Sequence, residues 1–252
     1  MPLSPVNAGF ATIVLPTYNE VDNIVPLINE LGRAVDAPIE IIVVDDNSPD
    51  GTSDAVRKFI DAHPGARVRL ETRMSDHGLQ KSISRGIDLA QGDVICWMDC
   101  DFSHPPQTMN LLIRRAMEGC QIAVASRYVK GGSYKKGLGW FGADESALAV
   151  LLSRMINWFI RIALDRRFHD YTSGFIAIHA DVIRSLQPLH GDYGEYFMDM
   201  MYRAIRKGFV FCEIPFISPP RRAGYSKTGT TFRQLFKRGV KYIEVIRRLW
   251  KL

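Results

Sequence analysis

Asp99 and Asp101 stand one residue apart at the end of the apolar run 94–98, and Pro105 and Pro106 follow almost at once. An acid pair at the carboxyl end of a strand lies where open α/β sheets bind ligands. Side chains at i and i+2 of an extended segment point the same way. Two carboxylates held so close both stay ionised cheaply only with a cation near them. The chemistry this suggests is a divalent metal held by Asp99 and Asp101, with diphosphate oxygens completing its shell. The competing reading is a pair of solvated turn acids, and the rest of the chain decides between them.

The elements that must position this pair are legible up to residue 126. Strands are expected at 10–15, 39–45, 67–71, 93–99 and 121–126. Helices are expected from Asn19-Glu20 to about 35, over about 54–62 after the turn Asp50-Gly51-Thr52, and over 79–90 and 106–118. Strands alternating with helices of this length imply an α/β fold with a mostly parallel, Rossmann-like sheet covered on both faces. Beyond Tyr128 a glycine-rich loop (130–142) precedes a long apolar helix (144–164). A β-like segment (174–179), a helix (196–207), a strand (210–216), a basic stretch (221–231) and a closing helix (232–252) follow.

Three acidic, turn-forming clusters therefore sit at successive strand ends: Pro16-Thr17-Tyr18-Asn19-Glu20, then Asp45-Asp46-Asn47-Ser48-Pro49-Asp50-Gly51-Thr52, then Asp99-Cys100-Asp101. The absence of a G-x-G-x-x-G fingerprint argues against a dinucleotide site. With Arg73 and Gly78-Leu79, His104-Pro105-Pro106, Ser126-Arg127-Tyr128, Asp170 with Thr172-Ser173-Gly174-Phe175, and Arg221 through Lys227, the chain resembles family 2 glycosyltransferases of the A-type fold. Within them it is most similar to dolichol-phosphate (polyprenol-phosphate) mannose synthases, over residues 12–227.

The resemblance implies a division of labour. Pro16, Tyr18, Glu20, Val44 and Asp46 would hold the nucleoside of a nucleotide sugar, GDP-mannose first and UDP-glucose second. Asp99 and Asp101 would hold Mg²⁺ or Mn²⁺ against the diphosphate, with Cys100 between them and Ser103 as a further ligand or supporting donor. Arg127, Arg221 and Lys227 would bind phosphate, and Asp101, Arg127 and Arg221 would be catalytic. The acceptor would be a polyprenyl phosphate. A phosphate monoester, with a second pKa near ~6, is already an anionic nucleophile at neutral pH, so no base is required of His77, His104, His169 or His179. Ile176, Ala149 and Asp199 depart from the family's pattern in the half that recognises sugar and acceptor, and Gln80 departs from it directly after Gly78-Leu79.

Charge and composition bound the setting. Residues 221–252 carry ten Lys/Arg and one acid, giving +9, against 22 basic and 26 acidic residues (−4) elsewhere. In 232–252 apolar residues recur at three- and four-residue steps among basic ones, as in an interfacial amphipathic helix. A catalytic domain of 1–227 followed by a membrane-interface helix at 228–252 is the expected organisation. Helix 144–164 suits a polyprenyl guide, a core element or an oligomer interface. No signal peptide and no apolar run of ~18 residues is apparent. The expectation is a cytoplasmic protein, peripheral on a membrane or tethered by a separate subunit, and not bound to nucleic acid. Cys96, Cys100, Cys120 and Cys212 show no zinc spacing, and reduced thiols are expected.

Three rival readings have distinct signatures. A transferase acting on a sugar hydroxyl needs a base, for which Asp199 is the candidate. A phosphoacceptor signalling domain matches Val44-Asp45-Asp46 but has no use for Asp99 and Asp101 and is about half this length. A degenerate transferase serving as a membrane scaffold would have lost metal-dependent nucleotide binding.

Overall fold

The predicted β/α alternation through residue 126 is present in the computed structural model, which describes residues 9–134, 147–219, 222 and 232–251. It runs β1 (Ala11–Thr17), α1 (Val21–Ala34), β2 (Ile39–Asp45), α2 (Thr52–Ala62), β3 (Val68–Thr72), α3 (Leu79–Leu89), β4 (Val94–Trp97), α4 (Pro106–Met117) and β5 (Ile122–Ser126). The second half comprises β6 (Ser133–Tyr134), α5 (Ala147–Ala163), β7 (Ile176–His179), α6 (Ala180–Leu186), α7 (Glu195–Arg206), β8 (Phe211–Pro215), β9 (Ile217–Ser218) and α8 (Phe232–Leu249).

Seven strands form one sheet in the order β3-β2-β1-β4-β7-β5-β8, and β6 pairs with β9 apart from it. β7 runs antiparallel to both β4 and β5, whereas the other pairings in the large sheet are parallel. Alternate side chains feed two cores, one on each face. Ile13, Leu15, Ile41 and Val43 pack under α1, α2 and α4, while Val14, Ile42, Val44, Ile95 and Trp97 pack under α3, α5, α6, α7 and α8. Helix α3 lies hard on β1 because residue 86 is glycine. A Cβ there would stand 2.2 Å from Val14 Cγ1.

Three expectations need correction. The strand predicted at 93–99 ends at Trp97, so Asp99 and Asp101 belong to the following turn rather than to an extended segment. Phe102, with φ +65°, bends that turn through the left-handed region. The short helix α6 was not expected, because seven residues give too few repeats to register a helical period. Cys120 and Cys212 are joined in a disulfide although 92 residues apart, while Cys96 and Cys100 are free and buried. Pairing of Ala123 with Cys212 in the β5–β8 ladder brings the start of β5 beside β8.

Candidate active site

Chain order places the site. The sheet grows outward from β1 through β2 to β3, and the chain then returns to add β4 on the other side of β1. Ligands bind beyond the carboxyl ends of strands at such a switch point. A crevice of 550 Å³ occupies this position. Pro16, Thr17, Tyr18 and Glu20 line it from the end of β1, Asp46 from β2, and Asp99, Cys100 and Asp101 from the turn after β4. Most of the predicted donor residues are thus brought together.

Val44, Ser103 and Arg127 are not among the residues lining the crevice. Val44 is fully buried within β2, because strand alternation sends its side chain into the core. Arg221 and Lys227 lie outside the described residues.

The acids of the second cluster divide by role. Asp45 is fully buried and accepts bonds from Thr17 Oγ1, Ser53 Oγ, and the N–H and hydroxyl of Ser48. Asp50 accepts from the Val21 and Thr52 backbone N–H groups and from Thr52 Oγ1. Both acids brace the loops that follow β1 and β2. Asp46 faces the crevice, yet it also anchors its far wall. Its carboxylate accepts Arg73 Nη1 at 2.8 Å, Ser82 Oγ at 2.7 Å and the Gly78 N–H at 2.7 Å. Gly78, at φ +142°, makes a turn that a side chain would strain. Motif reading had marked Arg73 and Gly78, but not Ser82 or His77. The Asp46 carboxylate, with donors still to be placed, was the signal that a partner on α3 existed.

The acid pair is built differently at its two members. The Asp99 side chain is exposed, whereas Asp101 is only 3% exposed at the crevice floor. The Ser103 N–H donates to Asp101 Oδ1 at 2.9 Å, closing a small turn around Phe102. His104 holds the other end: the Asp99 N–H donates to its Nδ1 at 3.0 Å. Its ring stacks on Phe175 at 4.4 Å and meets Phe216 edge-on at 5.9 Å. Burial holds this imidazole below its ordinary value against the pull of Asp99 and Asp101. An accepting Nδ1 agrees with that neutral form, so His104 orients the turn.

Among the described residues no three His, Cys, Asp or Glu side chains converge on one point. Two carboxylates opening on a crevice nevertheless fit Mg²⁺ or Mn²⁺, which keep much of their shell for water and phosphate oxygens.

Arg127 follows β5, with its side chain 13% exposed. Its Nε and Nη2 meet the two oxygens of Asp170 at 2.9 and 2.8 Å, and Nη2 also donates to the carbonyl and hydroxyl of Thr172. Its backbone N–H donates to the same carboxylate at 3.0 Å. The guanidinium therefore ties the turn at 170–172 to the end of β5. Asp199 is 1% exposed on α7 and takes Arg203 Nε at 2.7 Å and Arg248 Nη2 at 2.8 Å. A carboxylate held by two guanidiniums is a poor general base, and here it pins α8 to α7.

Comparison with known proteins agrees with this geometry. The family described as "Glycosyl transferase family 2" matches residues 12–186. A polyprenol monophosphomannose synthase of Mycolicibacterium smegmatis is 34% identical over 234 residues, covering 89% of this chain and 84% of that protein. A dolichol-phosphate mannosyltransferase of Pyrococcus furiosus is 31% identical over 96% of this chain, which spans 63% of its length. The fold matches glucosyl-3-phosphoglycerate synthase from Mycobacterium tuberculosis, solved with Mn²⁺, UDP and glucosyl-3-phosphoglycerate, at a TM-score of 0.68 and 17% identity, over 96% of this chain and 80% of that one. Another structure of that enzyme holds Mg²⁺ and UDP. Mannosyl-3-phosphoglycerate synthase from Rubrobacter xylanophilus matches at 0.67 and 18% identity, over 96% and 74% of the two chains. With a switch-point crevice, an acid pair on its floor and a family match over most of its length, the chain belongs to glycosyltransferase family 2.

Proposed function

We propose that the chain moves mannose from GDP-mannose to a polyprenyl (dolichyl) phosphate, with inversion at the anomeric carbon and dependence on a divalent metal. The observation that carries this reading is the single crevice shared by Asp46 and the Asp99–Asp101 pair. The names of the relatives supply the substrate class. Pro16, Tyr18, Glu20 and Asp46 hold the nucleoside. Asp99 and Asp101, steadied by the Ser103 N–H and by His104, hold Mg²⁺ or Mn²⁺. When bound, the ion offsets charge on the departing diphosphate. Arg221 and Lys227 bind the diphosphate as cations, and Arg127 supports the site by holding the turn at 170–172.

An oxygen of the lipid phosphate forms a bond to C1 of the sugar as the bond from C1 to the nucleoside diphosphate breaks on the opposite face. A phosphate with a second pKa of ~6 carries its charge already, which matches a site whose candidate base, Asp199, is tied to Arg203 and Arg248.

Among the described residues no helix is long and apolar enough to cross a membrane. Met155, Trp158, Phe159 and Ile162 are exposed along one face of α5, next to the exposed Arg154. On α8, Ile246 and Leu249 pack on the domain while Ile243 is exposed, as is Trp250 just past the helix end. These exposed rows support peripheral contact of α5 and of segment 228–252 with an anionic membrane on its cytoplasmic side.

The test is a thermal-shift screen with Mn²⁺ of GDP-mannose, UDP-glucose, UDP-N-acetylglucosamine and their diphosphates, followed by transfer to a short polyprenyl phosphate. GDP-mannose should stabilise the protein, and the effect should vanish with chelator or with Asp101→Ala. Selective stabilisation by UDP-glucose would reassign the donor. No stabilisation by any of them in folded protein would sink the reading.

A further inference from the structure

We propose that Tyr193 is a further donor-contacting residue, an aromatic wall for the nucleoside, and that helix α8 sets its position. The inference rests on the crevice being the donor site. Among the described residues Tyr193 is the only member of the crevice lining that comes from beyond Asp101 in the chain. It is 45% exposed, although the backbone that carries it is tightly held. The Tyr193 N–H donates at 2.9 Å to Glu195 Oε2, whose residue is 2% exposed. Three residues further on, the Tyr196 hydroxyl accepts Trp97 Nε1 at 2.9 Å, which ties the start of α7 to the end of β4. A large aromatic on such a backbone loses little freedom when a ligand covers its face.

Placement argues for the nucleoside. Helices α3 and α7 cover the same face of the sheet, and both begin at the edge that carries the crevice. Tyr193 precedes α7 as His77 and Gly78 precede α3, so the two helix starts flank the space above β1 and β4. A flat base and its ribose fill that space without demanding charge, whereas the diphosphate needs the cation that Asp99 and Asp101 would hold.

Helix α8 grips the same loop. Lys241 Nζ meets Asp192 Oδ2 at 2.6 Å. Residue 194 has ordinary helical angles (φ −63°, ψ −19°), so its being glycine reflects space rather than backbone conformation. A Cβ there would lie 2.3 Å from the Tyr242 hydroxyl oxygen but 3.5 Å from its ring carbon Cζ. The close approach of α8 to the loop therefore depends on one missing methyl group.

The experiment is titration calorimetry of GDP, and of UDP, in MnCl₂ with the whole chain, alongside thermal unfolding without nucleotide. Tyr193→Ala should weaken binding of the preferred diphosphate by about tenfold, the scale of one base–aromatic contact, with unchanged unfolding temperature. Tyr193→Phe, which keeps the ring, should bind more tightly than Tyr193→Ala. Gly194→Ala should weaken binding by moving the loop, and adding Tyr242→Phe should restore it, since the added methyl then meets only a ring carbon at contact distance. Wild-type affinity in Tyr193→Ala overturns the contact, and failure of Tyr242→Phe to rescue overturns the role of α8. A wild-type protein that binds neither diphosphate takes down the donor-site reading as well, which separates the two failures.

Discussion

Replacing Arg127 by Met separates a brace from a phosphate ligand. Methionine keeps much of the aliphatic stem and removes the charge. The Asp170 side chain is fully buried and would keep only the Arg127 N–H at 3.0 Å and the Thr172 N–H and hydroxyl, each at 3.2 Å. Breaking a buried pair by removing one partner costs about 3–5 kcal/mol, and those residual donors place this case at the lower end, about 3 kcal/mol. At roughly 2–4 °C per kcal/mol for a chain of this size, the unfolding temperature should fall by about 6–12 °C. Adding Asp170→Asn should recover part of the loss, because a neutral amide no longer needs a cation. Differential scanning fluorimetry of the single and double variants reads this directly, with nucleotide affinity measured well below the transition. The reasoning fails if Arg127→Met melts within about 2 °C of wild type while losing tenfold or more in Mn²⁺–nucleotide affinity. Arg127 would then be a ligand of the donor.

Burial raises the Glu213 carboxyl above its ordinary value of 4.5, so its ionisation disfavours the folded state. Its favourable share is complete below that value and is lost as pH rises through the folded-state value. The unfolding temperature of Glu213→Gln relative to wild type should therefore climb between about pH 4 and pH 7, and a falling difference in fluorimetry would contradict this. Asp199→Asn should cost about 1–3 kcal/mol and speed proteolysis of α8, yet leave the transfer rate within about tenfold of wild type. A loss of about 10²–10⁴ in rate at unchanged substrate affinity would instead make Asp199 a base. Trp158→Ser with Phe159→Ser, both on exposed positions, should weaken co-sedimentation with anionic vesicles by about tenfold or more and leave GDP affinity unaltered. Undiminished sedimentation would remove α5 from the membrane contact.

Sequence made the strands and the acid clusters legible for one physical reason. Buried parallel strands are short β-branched runs, and the turns that close them are rich in Asp, Asn and Gly. The pairing of β7 between β4 and β5 was not legible. Four buried residues, Ile176–His179, carry no mark of which neighbours they take or in which direction.

The division of labour among the acids was hidden for a related reason. Asp45, Asp46 and Asp50 are chemically alike and lie at or just past the end of β2, so only the chain's path decides that Asp46 faces the crevice while Asp45 and Asp50 brace the loops. The same holds for the cations. Arg127 stands in a motif associated with phosphate, but a buried Asp170 within reach takes its guanidinium first. A motif names residues that must be near a site. Whether each touches the ligand or holds one that does depends on which partner folding has already given it, and for Arg127 that partner is supplied from 43 residues further along the chain.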